Sequence, residues 1–200
     1  MTELVLVRHG ETIWHAENRY AGRSDIALTD RGRLQADRLG AWAAGARLDR
    51  IVTSPLQRTA DTAAPAETAT GLTARRDPRL VEVDFGKAEG LTRAEMRDRF
   101  PDALAAFLRR PATCPLPGGE CGTDAVARAR PALSDCLSGD PRRVLVVGHQ
   151  TLVRLLLCAT LGVPLDRYRA VFPRLDSVAL CRLRIARDRP PALLALNVPV

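Results

Sequence analysis

The chain has 200 residues, of which 46% are hydrophobic, and it carries a formal net charge of +7. This is enough apolar material for a substantial core, so we expect a single domain over residues 1–200. No apolar stretch approaches the roughly 18 residues of a membrane-spanning helix, and the arginines form no run of five or more, which argues against membrane and nucleic-acid partners.

The first half of the chain alternates strands and helices. Residues 4–7 are apolar throughout and predict a buried strand, followed by a polar, glycine-containing segment at residues 8–12. Thr29 is expected to cap a helix that Gly45 ends. Next we predict a strand at 50–53, a helix at 56–70 and a short strand at 72–75.

The second half continues this alternation after a less regular stretch. Residues 77–90 have mixed periodicity and predict a structured loop, and residues 111–119 are rich in proline and glycine and predict a surface connection. We predict helices at 92–100, 102–108, 124–137 and 152–161, and strands at 144–147, 177–185 and 193–198. The whole pattern predicts an α/β three-layer sandwich, with helices on both faces of a mostly parallel central sheet.

Two of the three histidines directly follow a predicted buried strand. His9 comes after residues 4–7, and His149 comes after residues 144–147. Sites in such sheets form beyond the carboxyl ends of the strands, so both histidines should lie at the same edge. Arg8, Arg58 and Glu82 complete a set of residue types that suits phosphoryl transfer.

Several motifs along the chain carry a family resemblance. They are Arg-His-Gly-Glu-Thr at 8–12, Ser-Pro-Leu-Gln-Arg-Thr at 54–59, Glu-Val-Asp-Phe-Gly at 82–86, Pro-Gly-Gly-Glu at 117–120 and Gly-His at 148–149. In this order they resemble the histidine phosphatase superfamily, which has the phosphoglycerate mutase-like fold, over nearly the whole chain. The resemblance implies a phosphatase of small phosphorylated metabolites that uses no metal and no cofactor.

The resemblance assigns a role to each of these residues. His9 would be the nucleophile, because a neutral imidazole attacks phosphorus and forms a phosphohistidine. Arg8 and Arg58 would bind the phosphate oxygens and disfavour protonation of His9. His149, protonated or donating, would complete the phosphate site, together with the backbone N–H groups at the start of the helix that follows it.

Glu82 is the expected general acid for the leaving oxygen, which requires a raised pKa. The residues alone leave Asp84 as the nearest competitor for this role, whereas Glu89 is expected to be structural. Glu82 would afterwards activate the water that hydrolyses the phosphohistidine.

Three further positions are expected to contact phosphate. His15 stands where many relatives have a phosphate-contacting asparagine, and Gln150 stands where mutases usually have glycine. Gly22 is placed with them as a phosphate-binding residue. Residues 18–24, 91–119 and 164–176 are expected to select the substrate.

Two other functions stay open. A bisphosphate-dependent phosphoglycerate mutase would need a longer insertion with additional arginines near residues 84–86, where this chain is short. A non-catalytic phosphate-binding module is opposed by the complete set of expected catalytic residues. Phosphatase is therefore favoured over both.

The number and spacing of the cysteines indicate the cellular compartment in which the protein is expected. Five are scattered along the chain with no paired spacing, and the first residues lack the pattern of a signal peptide, which favours reduced thiols in the cytoplasm. Dimers are common in the family, and the apolar late strands are compatible with a homodimer.

Overall fold

A six-stranded sheet forms the centre of the molecule in the computed structural model, which describes residues 1–139 and 141–200. The strands are β1 (Thr2–Arg8), β2 (Arg50–Thr53), β3 (Arg75–Arg76), β4 (Arg143–Gly148), β5 (Leu180–Ile185) and β6 (Ala192–Val198). The helices are α1 (Asp30–Ala46), α2 (Gln57–Thr70), α3 (Arg93–Arg99), α4 (Pro101–Arg109), α5 (Gly122–Leu137), α6 (Gln150–Leu161) and α7 (Tyr168–Val171).

The strand order is β3-β2-β4-β1-β5-β6. The neighbours among β3, β2, β4 and β1 pair in parallel, whereas β5 is antiparallel to both β1 and β6. The expected mostly parallel sheet is therefore confirmed. Among the described helices, none has both the length and the apolarity that crossing a membrane would require.

Alternate residues of the central strands contribute to two separate cores. Leu4 and Leu6 of β1 belong to a cluster that includes residues of α5 and α6, whereas Val5 and Val7 belong to a cluster that includes residues of α1 and α2. Successive side chains of a strand point to opposite faces, so each face of the sheet is covered by helices. This arrangement confirms the three-layer sandwich.

Helix α1 begins as expected and ends later than expected. The Thr29 hydroxyl accepts a hydrogen bond from the Gly32 N–H, which caps the first turn. Gly45 was predicted to end the helix, but it continues to Ala46, and Arg47 adopts the left-handed conformation with φ of 50°. That prediction was wrong by two positions because a non-glycine residue takes the terminating conformation.

The late strand and the proline-rich connection also differ from expectation. Strand β5 begins at Leu180 instead of residue 177, because Val178 has φ of 63° and its N–H donates to the Arg8 carbonyl. The segment at 111–119 is not merely a surface connection, since Ala112 and Leu116 are buried in the core. The short strand expected at 72–75 lies later in the chain, because β3 covers only Arg75–Arg76. The loop at 77–90 contains two short 3₁₀ turns.

The ends of β1 and β4 lie side by side. Arg8 pairs with Gly148 in the parallel ladder, and the His9 N–H donates to the Gly148 carbonyl at 3.0 Å. His149 immediately follows Gly148, and the two imidazole rings are 5.5 Å apart. Strand register alone thus brings together two histidines that are 140 residues apart in sequence.

Candidate active site

A cavity of about 730 Å³ lies beyond the carboxyl ends of β1 and β4. Its walls include five of the residues that the sequence nominated, namely Arg8, His9, His15, Glu82 and Gln150. Each of the three segments expected to select the substrate also contributes, through Asn18–Ala21, Thr92–Ala94, and the group Tyr168, Arg169 and Pro173.

The His9 ring is oriented by its own backbone neighbourhood. Its Nδ1 lies 2.7 Å from the Gly10 carbonyl oxygen, which only accepts, so Nδ1 carries the hydrogen. Nε2 therefore holds the lone pair in the neutral ring. Burial lowers the pKa of His9 well below its usual value, and the charges of Arg58 and Arg8 lower it further.

The loop that carries His9 is fixed against α1 and α2. The Gly10 N–H donates to the Thr62 hydroxyl at 2.9 Å, and the Glu11 N–H donates to the Gln35 side chain at 2.8 Å. Gly10 also lies so close to the Gly32 backbone that a side chain on either residue would overlap the other segment. His9 therefore lies on a turn whose backbone is restrained by α1 and α2.

Arg8 and His15 are in direct contact. Arg8 donates to the Leu175 carbonyl at 2.9 Å, and its Nη2 lies 2.5 Å from His15 Nε2. The Thr12 N–H lies 3.0 Å from the other ring nitrogen of His15, Nδ1. Arg8 and Thr12 thus each place a donor at a ring nitrogen, but a neutral imidazole has only one acceptor nitrogen. Burial and then Arg8 lower the pKa of His15 to about 4, which keeps the ring uncharged at neutral pH.

Arg58 and Gly22 lie outside the cavity lining and contact each other. The Arg58 guanidinium is fully buried and donates to the carbonyls of Gly22 at 2.8 Å and Ser24 at 2.7 Å. Arg58 Nε has no hydrogen-bond partner among the described residues. In this geometry Gly22 supports Arg58 through its carbonyl, and Arg58 places a positive charge near His9.

His149 is fully buried, and neither ring nitrogen has a hydrogen-bond partner among the described residues. Burial lowers its pKa well below the usual value, followed by the charges of Arg58, His9 and Arg128. These shifts favour the neutral form of His149 over the protonated form offered as one alternative. A neutral ring still provides one N–H for a phosphate oxygen.

The carboxylate of Glu82 occupies the N-terminus of α6. It accepts hydrogen bonds from the N–H groups of Thr151 and Leu152, both at 2.9 Å, and from that of Val83. The helix donors expected to bind phosphate include the Thr151 and Leu152 N–H groups, which Glu82 engages in this structure. Burial raises the pKa of Glu82, against the opposing effect of the three donors and Arg58.

The two competing acidic residues have other contacts. Asp84 accepts from the Gly86 N–H at 2.8 Å and lies 3.8 Å from Arg23, in a turn rather than in the cavity wall. Glu89 accepts from the Arg23 N–H and the Ser24 hydroxyl, which braces the loop that holds Arg58. Glu82 is thus the one of these three carboxylates that lines the cavity.

Sequence reasoning nominated neither of two arginines in the cavity wall individually, although Arg169 lies in the segment 164–176 that was expected to select the substrate. Arg154 lies on α6, one turn after Gln150, and Arg169 lies on α7. Arg154 was detectable in principle, because it is a single cation inside the apolar run from Leu152 to Cys158. Arg169 belongs to a short helix with no amphipathic pattern that would mark it.

The site is rich in cations and in neutral imidazoles. Among residues 1–139 and 141–200, no group of three or more His, Cys, Asp or Glu side chains is arranged to hold a metal ion. Guanidinium groups are instead available to neutralise a phosphate, and an imidazole lone pair and a buried carboxyl group lie in the same cavity. This chemistry suits transfer of a phosphoryl group to nitrogen and then to water.

Known proteins resemble this chain over most of its length. A family profile described as the histidine phosphatase superfamily (branch 1) matches residues 4–199. Phosphoserine phosphatase 1 of Hydrogenobacter thermophilus is 32% identical, with 84% of this chain and 80% of that protein covered. The probable phosphoglycerate mutase GpmB of Erwinia tasmaniensis is also 32% identical, with coverage of 92% and 85%.

The fold is similar to that of solved phosphatase structures. The structure of mycobacterial glucosyl-3-phosphoglycerate phosphatase in complex with VO3 aligns with a TM-score of 0.90 and 30% sequence identity, covering 99% of this chain and 100% of that one. Some mycobacterial relatives are longer, and the chain spans 43% of their length.

Proposed function

The chain belongs to the histidine phosphatase superfamily and is a phosphoric monoester hydrolase, and we propose that His9 is the residue that accepts the phosphoryl group. In the first half-reaction, His9 Nε2 forms a bond to phosphorus while the ester P–O bond breaks. The observation that carries this proposal is the hydrogen bond from His9 Nδ1 to Gly10, which leaves the Nε2 lone pair free in a neutral ring.

Arginines neutralise the negative charge of the phosphoryl group. Arg8 lines the cavity and offers its Nε, which has no partner among the described residues, to the equatorial oxygens. Arg58 acts from behind the lining, both by its charge and through its own unpartnered Nε. His149 contributes a neutral N–H donor, and Gln150 contributes an amide from the first turn of α6. His15 takes part in the phosphate site through its contact with Arg8. Gly22 takes part through its support of Arg58.

Glu82 handles the proton in both half-reactions. Its protonated form gives the proton to the leaving oxygen, and the resulting carboxylate is held by the N–H groups of Thr151 and Leu152. The same carboxylate then takes a proton from water, the water oxygen bonds to phosphorus, and the N–P bond breaks. Inorganic phosphate leaves, and both His9 and Glu82 return to their starting forms.

Trapping the covalent intermediate tests the proposal. Rapid quenching of the enzyme with a ³²P-labelled phosphate monoester is expected to label the protein with an acid-labile, alkali-stable phosphohistidine. His9→Ala should lose the label and at least about a thousandfold in kcat. Full activity of His9→Ala would overturn the role of His9, and absence of any label with several substrates would instead revive the non-catalytic alternative.

The proposal includes metal independence. Because cationic side chains supply the positive charge around the phosphate, activity should be unchanged after dialysis against EDTA. Loss of activity that returns with a divalent cation would contradict this part of the proposal.

The likeness to a probable phosphoglycerate mutase makes a mutase the second candidate. A mutase must retain its phosphohistidine until the phosphoryl group passes to a hydroxyl of a phosphoglycerate, whereas a phosphatase passes the group to water. Interconversion of phosphoglycerates that depends on a bisphosphate primer would support the mutase. Release of inorganic phosphate without a primer is expected instead.

We further propose the setting in which the enzyme works. It acts on small phosphorylated metabolites as a single domain over residues 1–200, without a nucleic-acid partner. Its five cysteines are free thiols in the structure, which supports a reducing cytoplasm. A homodimer is proposed from the family resemblance, and analytical ultracentrifugation would test it.

A further inference from the structure

Among the arginines of the cavity wall that have no part in the proposed phosphoryl transfer, Arg154 and Arg169 have buried N–H groups without a partner in the described part of the chain. Arg154 is 8% exposed and lines the cavity from α6, and its Nε has no hydrogen-bond partner among the described residues. Arg169 lines the same cavity from α7, and its Nη1 likewise lacks a partner among them. Buried guanidinium N–H groups without partners are costly, so both side chains are poised to donate to a further group.

Positive charge accumulates around this part of the cavity. Within the part of the chain that the structure describes, neither Arg154 nor Arg169 forms a salt bridge with a carboxylate, in contrast to Arg19, which contacts Glu17 and Glu95. Burial lowers the pKa of Arg8 to about 10, and the next largest cause is the charge of Arg154. The cationic groups therefore repel one another, and an anion placed among them would relieve the repulsion.

Both guanidinium groups are held in place. Arg154 Nη2 donates to the Pro173 carbonyl at 2.9 Å. Arg169 Nε donates to the Tyr168 hydroxyl at 3.0 Å, and the guanidinium lies 4.5 Å from the centre of the Phe107 ring. Because these contacts fix the side chains before a ligand arrives, little side-chain entropy would be lost when an anion binds.

We propose that Arg154 and Arg169 form a second anion subsite, so that the enzyme's substrate is a phosphate monoester that carries another anionic group, either a carboxylate or a second phosphate. This inference rests on the proposed phosphatase function. The ester phosphate would bind beside His9, Arg8 and Arg58, and the second group would bind farther along α6. A cavity of about 730 Å³ leaves room for both.

Matched pairs of esters test the subsite. Glycerol 3-phosphate and 3-phosphoglycerate differ only in a hydroxymethyl group against a carboxylate, and fructose 6-phosphate and fructose 1,6-bisphosphate differ by one phosphate. The wild type should prefer the doubly anionic member of at least one pair by about tenfold or more in kcat/KM. Which pair shows the preference identifies the chemistry of the second group.

Arg154→Gln and Arg169→Gln should each abolish most of this preference and leave kcat/KM for the singly anionic ester within about threefold of wild type. Arg130→Gln is the matched control, because Arg130 is exposed on α5 outside the cavity and loses the same charge. If Arg154→Gln unfolds, Arg169→Gln decides the question.

If the variants lost kcat/KM equally for both esters of a pair, or if both variants kept the preference for the doubly anionic ester, the proposed subsite would be overturned. Absence of a preference in the wild type would do the same. Failure of the underlying function looks different, since the wild type would then hydrolyse no ester and form no phosphohistidine.

Discussion

Glu82 must hold a proton in one half-reaction and lose it in the other, and its contacts suit both states. Burial favours the neutral acid, while three backbone N–H groups favour the carboxylate. An amide at this position would keep the shape of the side chain but neither give nor take a proton. The residue thus offers a direct test of acid catalysis.

For Glu82→Gln, we expect kcat to fall by about 10²–10⁴ with an alkyl phosphate, because the alkoxide leaving group needs a proton. With p-nitrophenyl phosphate the formation of phosphohistidine should fall much less, since nitrophenolate leaves without one. Rapid-quench measurement of the phosphorylation step with both esters checks this. Asp84→Asn is the control and should change neither rate, and equal losses with the two esters would contradict acid catalysis by Glu82.

At the scale of secondary-structure elements, one close contact determines where the nucleophile stands. Gly10 and Gly32 bring the turn after β1 against the first turn of α1, where a Cβ on Gly32 would overlap the Glu11 carbonyl. Glu11 in turn accepts hydrogen bonds from the Thr29 N–H and hydroxyl. The start of α1 and the turn that carries His9 are therefore positioned as a unit.

Gly32→Ala is expected to force these two segments apart and to lower the free energy of unfolding by about 1–3 kcal/mol. It should also lower kcat, because His9 lies on the displaced turn. Gly45→Ala on the same helix is the control, since nothing lies within 4 Å of its added methyl group. That variant should be neutral or more stable. Urea unfolding and steady-state kinetics measure both effects, and similar results for the two variants would exclude the steric explanation.

Sequence pattern predicted those features that depend on local periodicity. The apolar strands that end at Arg8 and Gly148 were recognisable, and parallel pairing then placed His9 and His149 together. The left-handed residues Arg47 and Val178 were not recognisable, because neither is a residue type that favours this conformation. They are the reason that α1 and β5 have different ends from those expected.

The tertiary contacts of the site could not be predicted from local sequence patterns. That Glu82 reaches the N-terminus of α6 depends on how a loop packs on a helix 70 residues away. The Arg169 guanidinium is held by Phe107, which lies on α4. Motif resemblance could nominate Glu82 for its role, but only the packing shows that its carboxylate accepts hydrogen bonds from the N–H groups of Thr151 and Leu152.

At the scale of the whole molecule, a positively charged protein concentrates several cations around uncharged histidines. The formal charge of +7 favours the approach of anionic substrates. Burial, and then the charges of the arginines in and behind the cavity, lower the pKa values of His9 and His149. The same arrangement that supplies a neutral nucleophile therefore makes the folded state sensitive to acid.

All three histidines have folded-state pKa values below the ordinary value of 6.5, with that of His15 at about 4. When the pH falls below 6.5, the histidines become protonated in the unfolded chain but stay neutral in the folded chain. The stability that they contribute above pH 6.5 is therefore lost as the pH falls. Glu82 has the opposite sign, because its raised pKa makes the folded state bind the extra proton above pH 4.5. Because three histidines destabilise the folded state in acid and one carboxyl group stabilises it, we expect the free energy of unfolding to decrease as the pH falls.

In the window between pH 6.5 and about 4.5 the histidines are opposed only by Glu82 among the groups considered, because carboxyl groups with lowered pKa values, such as Asp77 and Glu120, act below it. Urea unfolding at pH 7.5, 6.0 and 5.0 should show the free energy of unfolding decreasing steadily for the wild type. His15→Asn removes one of the three groups, so its free energy should depend less steeply on pH across this window. Parallel curves for the two proteins would mean that His15 takes up its proton equally well when folded, which the donors of Arg8 and Thr12 around its ring oppose.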